Sequence, residues 1–173
     1  MKNTVKKRAE SAGTVVTTPS EREIALTRVF DAPRSMVWDA LTKPELVKRW
    51  LGVRAGWTLD VCEIDLKVGG KYRYVWRGPN RAEMGMGGVY REIARPERLV
   101  ATEKFDESWY PGDAVDTTVL VEKGGKTTLT MTVLYASKEA RDGVLRSPMA
   151  TGVEESYRML DSLLASTSAG RGK

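Results

Sequence analysis

Glu103 is the side chain in this sequence of 173 residues whose setting most suggests chemistry. In Leu99–Ala101–Glu103–Phe105 it shares parity with apolar residues on an expected strand, so alternation turns it inward. A buried carboxylate is costly unless paired, and pairing can bring its pKa into a range suited to acid–base work or to orienting a ligand. Arg73 and Arg91 are the candidate partners, although both alternate away from the aromatic faces of their strands. A plain ion pair, buried or at a rim, is the simpler account. The chain has no histidine. That removes the commonest general base, the usual activator of Ser or Cys, and the commonest metal ligand. The single Cys62 reads as a small core side chain, and one cysteine with carboxylates makes no convincing zinc site. Asp60, Glu63 and Asp65 divide between the two faces of one strand and read as solvated or turn-stabilising groups. No catalytic residue, metal or cofactor is assigned.

A second set suits binding rather than reaction. Tyr74, Trp76, Met86, Tyr90, Trp109, Met131, Met149, Val153 and Tyr157 fall on inward positions, on the last helix or on an adjoining loop. Small-molecule pockets are mostly apolar with a few placed polar groups, and Tyr and Trp supply both. Five tryptophans and six tyrosines against two phenylalanines bias the chain toward amphipathic aromatics, which favours a partly open cavity. For any single member, filling the core is the plainer role.

The elements that must position these groups follow from periodicity. Residues 1–20 are polar and basic and read as a flexible tail; 21–165 read as one domain and 166–173 as a second tail. Glu23–Phe30 alternates as a half-buried strand. Asp31 as a cap with Pro33 in the first turn opens a short helix, and Thr42 with Glu45 has the spacing of a capping box for another. Strands are expected over Trp57–Leu66, Lys71–Arg77, Met84–Ile93, Leu99–Phe105, Asp116–Glu122 and Thr127–Tyr135, with Gly124-Gly125 as a hairpin turn. Gly85, Gly87 and Gly88 signal bending or close backbone approach. Ser137 caps a short helix to Arg146, and Pro148–Ala165 carries the stripe Met149, Val153, Tyr157, Leu160 and Leu164 of one long helix. Strand, two helices, six strands and a long helix joined by short turns make an antiparallel α+β protein.

Length and composition allow a substantial core: 41% hydrophobic and 29% charged residues are usual for a folded domain. No apolar run is long enough to cross a membrane, and no secretory signal is visible, so membrane insertion is not expected. A lone cysteine fits a reducing, cytoplasmic setting. The net charge of +5 is carried by the tails, where Lys2, Lys6, Lys7, Arg8, Arg171 and Lys173 outnumber Glu10. The body between them is neutral and lacks the basic face of a nucleic-acid binder.

The segments "VFDAPRSMVWDALTKPELVKRWLG", "DLKVGGKYRYVW", "GGVYREIARPERLVATEKFD" and "GVEESYRMLDSLL" resemble the family similar to the activator of the ninety-kilodalton heat-shock chaperone ATPase. That family sits within the START-related, polyketide-cyclase-like (SRPBCC) superfamily. The resemblance covers about Arg22 to Ala165. It implies a helix-grip fold: a curved sheet wrapped around a long C-terminal helix, with a cavity between them suited to an apolar small molecule. It supplies no universal catalytic motif, and fold alone does not select a function.

Three readings follow. The first is a binder of an apolar or aromatic molecule, with Met149, Val153 and Tyr157 as lid, Tyr74, Trp76 and Met86 as floor, and Glu103 and Tyr90 orienting the polar end. Trp109 then sits on an entrance loop, Trp109–Asp113, that moves to admit the ligand. The second is a cyclase- or hydrolase-like enzyme using Glu103 as acid–base. The third, chaperone contact, ranks last because a lone domain lacks a second chaperone-binding unit. A homodimer is compatible with the sequence, and nothing in it specifies one.

Overall fold

The computed structural model describes residues 13–108 and 110–170. Eight strands form one antiparallel sheet: β1 (Val15–Thr17), β2 (Glu23–Phe30), β3 (Thr58–Ile64), β4 (Lys71–Arg77), β5 (Glu83–Ala94), β6 (Arg98–Phe105), β7 (Ala114–Lys123) and β8 (Lys126–Leu134). Their spatial order is β1-β2-β8-β7-β6-β5-β4-β3. Among the described residues four α-helices complete the fold: α1 (Arg34–Thr42), α2 (Pro44–Val47), α3 (Lys138–Leu145) and α4 (Met149–Gly170). The expected α+β helix-grip architecture is therefore present. Bulges between Leu59 and Val61 and between Tyr90 and Glu92 break the ladder and increase local bending, as such irregularities do.

Three local readings change. The segment expected to be tail through residue 20 contributes β1, which pairs Val15–Thr17 with Ala25–Thr27 at the sheet edge. Three residues are too few to alternate legibly. Neither helix start uses its expected cap. Pro33 and Lys43 occupy the N-cap positions without side-chain bonds, and Thr42 Oγ1 instead donates to the Trp38 carbonyl inside α1. The long helix runs to Gly170, past the Ala165 end that composition suggested. Ser137 does cap α3, accepting from the Ala140 N–H.

Gly88 shows why the glycines of β5 matter. A Cβ there would sit 1.8 Å from the Thr102 carbonyl oxygen, so any larger residue would separate β5 from β6. The core has two halves beneath α4. Phe30, Trp38, Leu120, Leu129 and Leu160 fill the α1 side. Ile24, Tyr110, Val133, Tyr135 and Val144 fill the α3 side. A third cluster lines the far strands with Cys62, Tyr72, Tyr74, Trp76 and Tyr90.

Alternation also turns one cation inward. Arg28 shares the inner face of β2 with Ile24, Leu26 and Phe30 and is 3% exposed. Its guanidinium pairs with Glu154 at 2.8 Å and with Asp161 at 2.5 Å. These acids stand two turns apart on α4, so one arginine ties the helix to the sheet.

Candidate functional site

A cavity of about 300 Å³ lies between α4 and the concave face of the sheet. This is at the small end of the range for ligand sites. Its helical wall is Met149, Gly152, Val153, Ser156 and Tyr157, and its floor includes Phe105, Thr118, Leu129 and Met131. Trp50, Trp57 and Trp76 close the α2 side. The walls are overwhelmingly apolar because the inward positions of β6, β7 and β8 carry Phe, Thr, Leu and Met, while α4 presents its stripe toward them.

Among the residues expected from sequence, Trp76, Met131, Met149, Val153 and Tyr157 are on this wall. Tyr74, Met86 and Tyr90 lie in the adjoining tyrosine cluster, where Tyr72 packs 5.1 Å from Tyr74 and 5.5 Å from Tyr90. Parity turned them inward, but the sheet is broad enough that its far strands pack against α2 rather than α4. Trp109 lies outside the described residues. None of residues 110–113 borders the cavity. Its mouth, among the described residues, is framed by Val53, Arg54 and Trp57 on one side and Gly152 and Glu155 on the other. Arg54 reaches Glu155 at 3.6 Å across it and stacks 6.0 Å from the Trp57 ring.

Trp76 combines two roles. Its indole N–H donates to the Leu51 carbonyl at 2.9 Å, and Gly52, at φ 67°, turns left-handed directly against the ring. A Cβ at Gly52 would come within 2.3 Å of that indole nitrogen. The tryptophan thus holds the loop after α2 as well as the cavity wall, and truncating it cannot separate binding from folding.

Glu103 does turn inward, but it is not on the cavity wall and its neighbours are not arginines. Arg73 forms a two-pronged pair with Asp106 instead. Glu103 accepts from Tyr110 Oη at 3.3 Å and is hydrogen-bonded to Asp116. Because β6 pairs Ala101 with Asp116 and Glu103 with Ala114, the two acids are diagonal neighbours on one face, within reach of each other. Burial, then the Glu103 charge, then their mutual hydrogen bond hold the Asp116 carboxyl protonated well above the ordinary range. Burial, then the Glu103 charge, push the Tyr110 and Tyr135 hydroxyls up, so both stay neutral. Burial raises the Cys62 thiol to about 11, which keeps it an unreactive core group. Asp116 was readable from its parity with Ala114, Thr118 and Leu120. Its partnership with Glu103 required the strand register.

A carboxyl whose pKa is raised by folding destabilises the fold above its unfolded pKa, near 4, and costs nothing below it. Asp116→Asn is therefore expected to raise the melting temperature at pH 7.5 by about 2–6 °C, corresponding to about 1–2 kcal/mol. The gain should vanish at about pH 3, well below that reference value. Differential scanning fluorimetry across pH measures it, and a gain independent of pH would contradict the assignment.

Among the described residues, no group of three or more Cys, Asp or Glu is arranged to hold a metal ion, and no helix is long and apolar enough to cross a membrane.

A curved antiparallel sheet gripping one long helix over an apolar cavity defines the helix-grip, START-related class. Solved structures agree. The chain is similar to a protein from Rhodobacter sphaeroides, with 37% identity over 90% of this chain and 99% of that one, at a TM-score of 0.85. Protein Ms6760 from Mycobacterium smegmatis (22% identity, 88% and 97% covered, TM-score 0.78) shares the fold. So does protein NE0264 from Nitrosomonas europaea (24%, 88% and 99%, 0.76). No curated protein matches. The family model described as "Activator of Hsp90 ATPase homolog 1-like protein" matches residues 31–165, and the chain belongs to that family.

Proposed function

We propose that this domain binds an apolar, aromatic small molecule between α4 and the floor of the sheet. The observation that carries this reading is the cavity itself: about 300 Å³ walled by Trp50, Trp57, Trp76, Phe105, Met131 and Tyr157. Apolar wall surface left open to water in this way is unfavourable, and an apolar ligand would cover it. The methionines supply a polarisable lining that adapts to ring shapes. Glu103 and its neighbours orient a ligand's polar end, while the Arg54–Glu155 pair crosses the mouth and must part as the molecule passes.

Native mass spectrometry of freshly purified protein, against the same sample denatured, tests the proposal. A non-covalent adduct of a few hundred daltons is expected, or uptake of one after incubation with aromatic probes. Protein that carries no adduct and takes up none would overturn it.

A further inference from the structure

The concave face holds two carboxyl groups that no cation answers. Glu103 and Asp116 are diagonal neighbours on β6 and β7. Among the described residues no Lys or Arg pairs with either of them. Asp116 Oδ1 is sealed from solvent and receives no N–H or O–H from another residue. Its polar neighbour is the carboxyl of Glu103, so only a proton on one of the two acids can join them. The other contact is the Tyr110 hydroxyl, a donor without charge. The pair therefore lacks the counter-ion that proteins ordinarily supply to inward-facing carboxyl groups.

The place of the pair relative to the cavity is set by the strands. Phe105 follows Glu103 by two residues on β6, and Thr118 follows Asp116 by two on β7, so each wall residue is the next inward position after an acid. Asp116 also remains partly accessible although Ala114, Leu120, Ala101 and Val133 around it on the same face are buried. Space of the size of a water molecule therefore reaches part of Asp116, although not its Oδ1.

We propose that the Glu103–Asp116 pair, one inward position beyond the Phe105–Thr118 wall, is a polar subsite adjoining the cavity and selects ligands bearing an ammonium group on an apolar, aromatic body. This rests on the cavity-binding reading above. An ammonium supplies both things the pair lacks. Its charge balances the carboxylate, and its several N–H donors can meet Asp116 as well as Glu103. A ligand carboxylate would face like charge in a medium that screens it poorly, and should be rejected.

Three probes of one ring system separate the possibilities: naphthylethylamine, ethylnaphthalene and naphthylacetate, titrated calorimetrically into the full chain at pH 7. The amine is expected to bind at least about tenfold more tightly than the hydrocarbon, with the acid weakest. Glu103→Gln should reduce the amine's advantage to near unity, and Asp116→Asn, which removes an acceptor but no charge, should reduce it about threefold, both leaving ethylnaphthalene affinity within about twofold. Each variant keeps its side chain's shape, and circular dichroism verifies folding, so either suffices if the other fails to fold. Equal affinity for amine and hydrocarbon in the wild type would overturn the ammonium subsite and leave the cavity reading intact. So would an amine preference that survives both substitutions. Failure of all three probes to bind would overturn the cavity reading and this one together.

Discussion

Arg28→Met is expected to lower the melting temperature by about 5–15 °C, the consequence of losing about 2–4 kcal/mol. The side chain is buried among apolar neighbours, with its guanidinium 5.7 Å from the Phe30 ring, and it bridges β2 to Glu154 and Asp161 on α4. Methionine keeps much of the packing but leaves both acids without their shared cation. The cost stays below that of a fully buried pair because Glu154 and Asp161 are 25% and 28% exposed and can recover some hydration. Arg28→Lys should fall between the two, since one ammonium cannot span two carboxylates two helical turns apart.

The effect of Arg28→Met also depends on pH. Burial works against the Glu154 charge, but hydrogen bonds from Thr14, Arg28 and Arg158 outweigh it and hold the carboxyl at about 2. A depressed carboxylate stabilises the fold fully above its unfolded pKa, near 4.3, and loses that contribution as pH falls through its folded value. The gap between wild type and Arg28→Met should be constant above about pH 5 and close toward pH 2. Thermal melts across this range check the expectation, and a gap that widens in acid would refute it.

Val153→Trp is expected to abolish binding of a naphthalene probe, with affinity falling at least about thirtyfold, or about 2 kcal/mol. Val153 faces the cavity from the second turn of α4 and touches both halves of the core. An indole at this position enters the space the ligand would occupy. Because that space is empty of side chains, the strain that larger residues impose on a tight core should be small. The melting temperature should move by no more than a few degrees. Val121→Trp, at an outward position of β7 that is 56% exposed, serves as the control and should bind as wild type. Probe fluorescence with a parallel melt measures both quantities. Unchanged affinity in Val153→Trp would place binding elsewhere or nowhere.

Much of the site was legible from residue order, and the failures have definite causes. Inward parity identified Met131 on β8 and Trp76 on β4, and helical spacing placed Met149, Val153 and Tyr157 on one stripe. It also placed Glu103 inside. Parity specifies a face, however, and not which part of an eight-stranded face lies under the helix. Tyr74, Met86 and Tyr90 therefore carried the right orientation and lie outside the cavity wall. Arg28 obeys the same parity as Ile24 and Leu26, yet its partners are more than a hundred residues distant, so no local pattern announces them. Residues 110–113 were expected at an entrance because that stretch is irregular, and they do not border the cavity. Irregularity marks loops, but only packing decides which loop overlies a cavity.

By itself, the sequence determined the order of the elements from β2 onward, the side chains on each inner face, and the absence of histidine chemistry. These depend on periodicity and composition, which act over a few residues. Tertiary structure alone decided that Glu103 meets Asp116, that Arg28 fastens α4, and that Trp57 and Arg54 border the cavity. Each of those depends on strand register and on where a helix crosses a sheet, quantities set by the packing of the whole core.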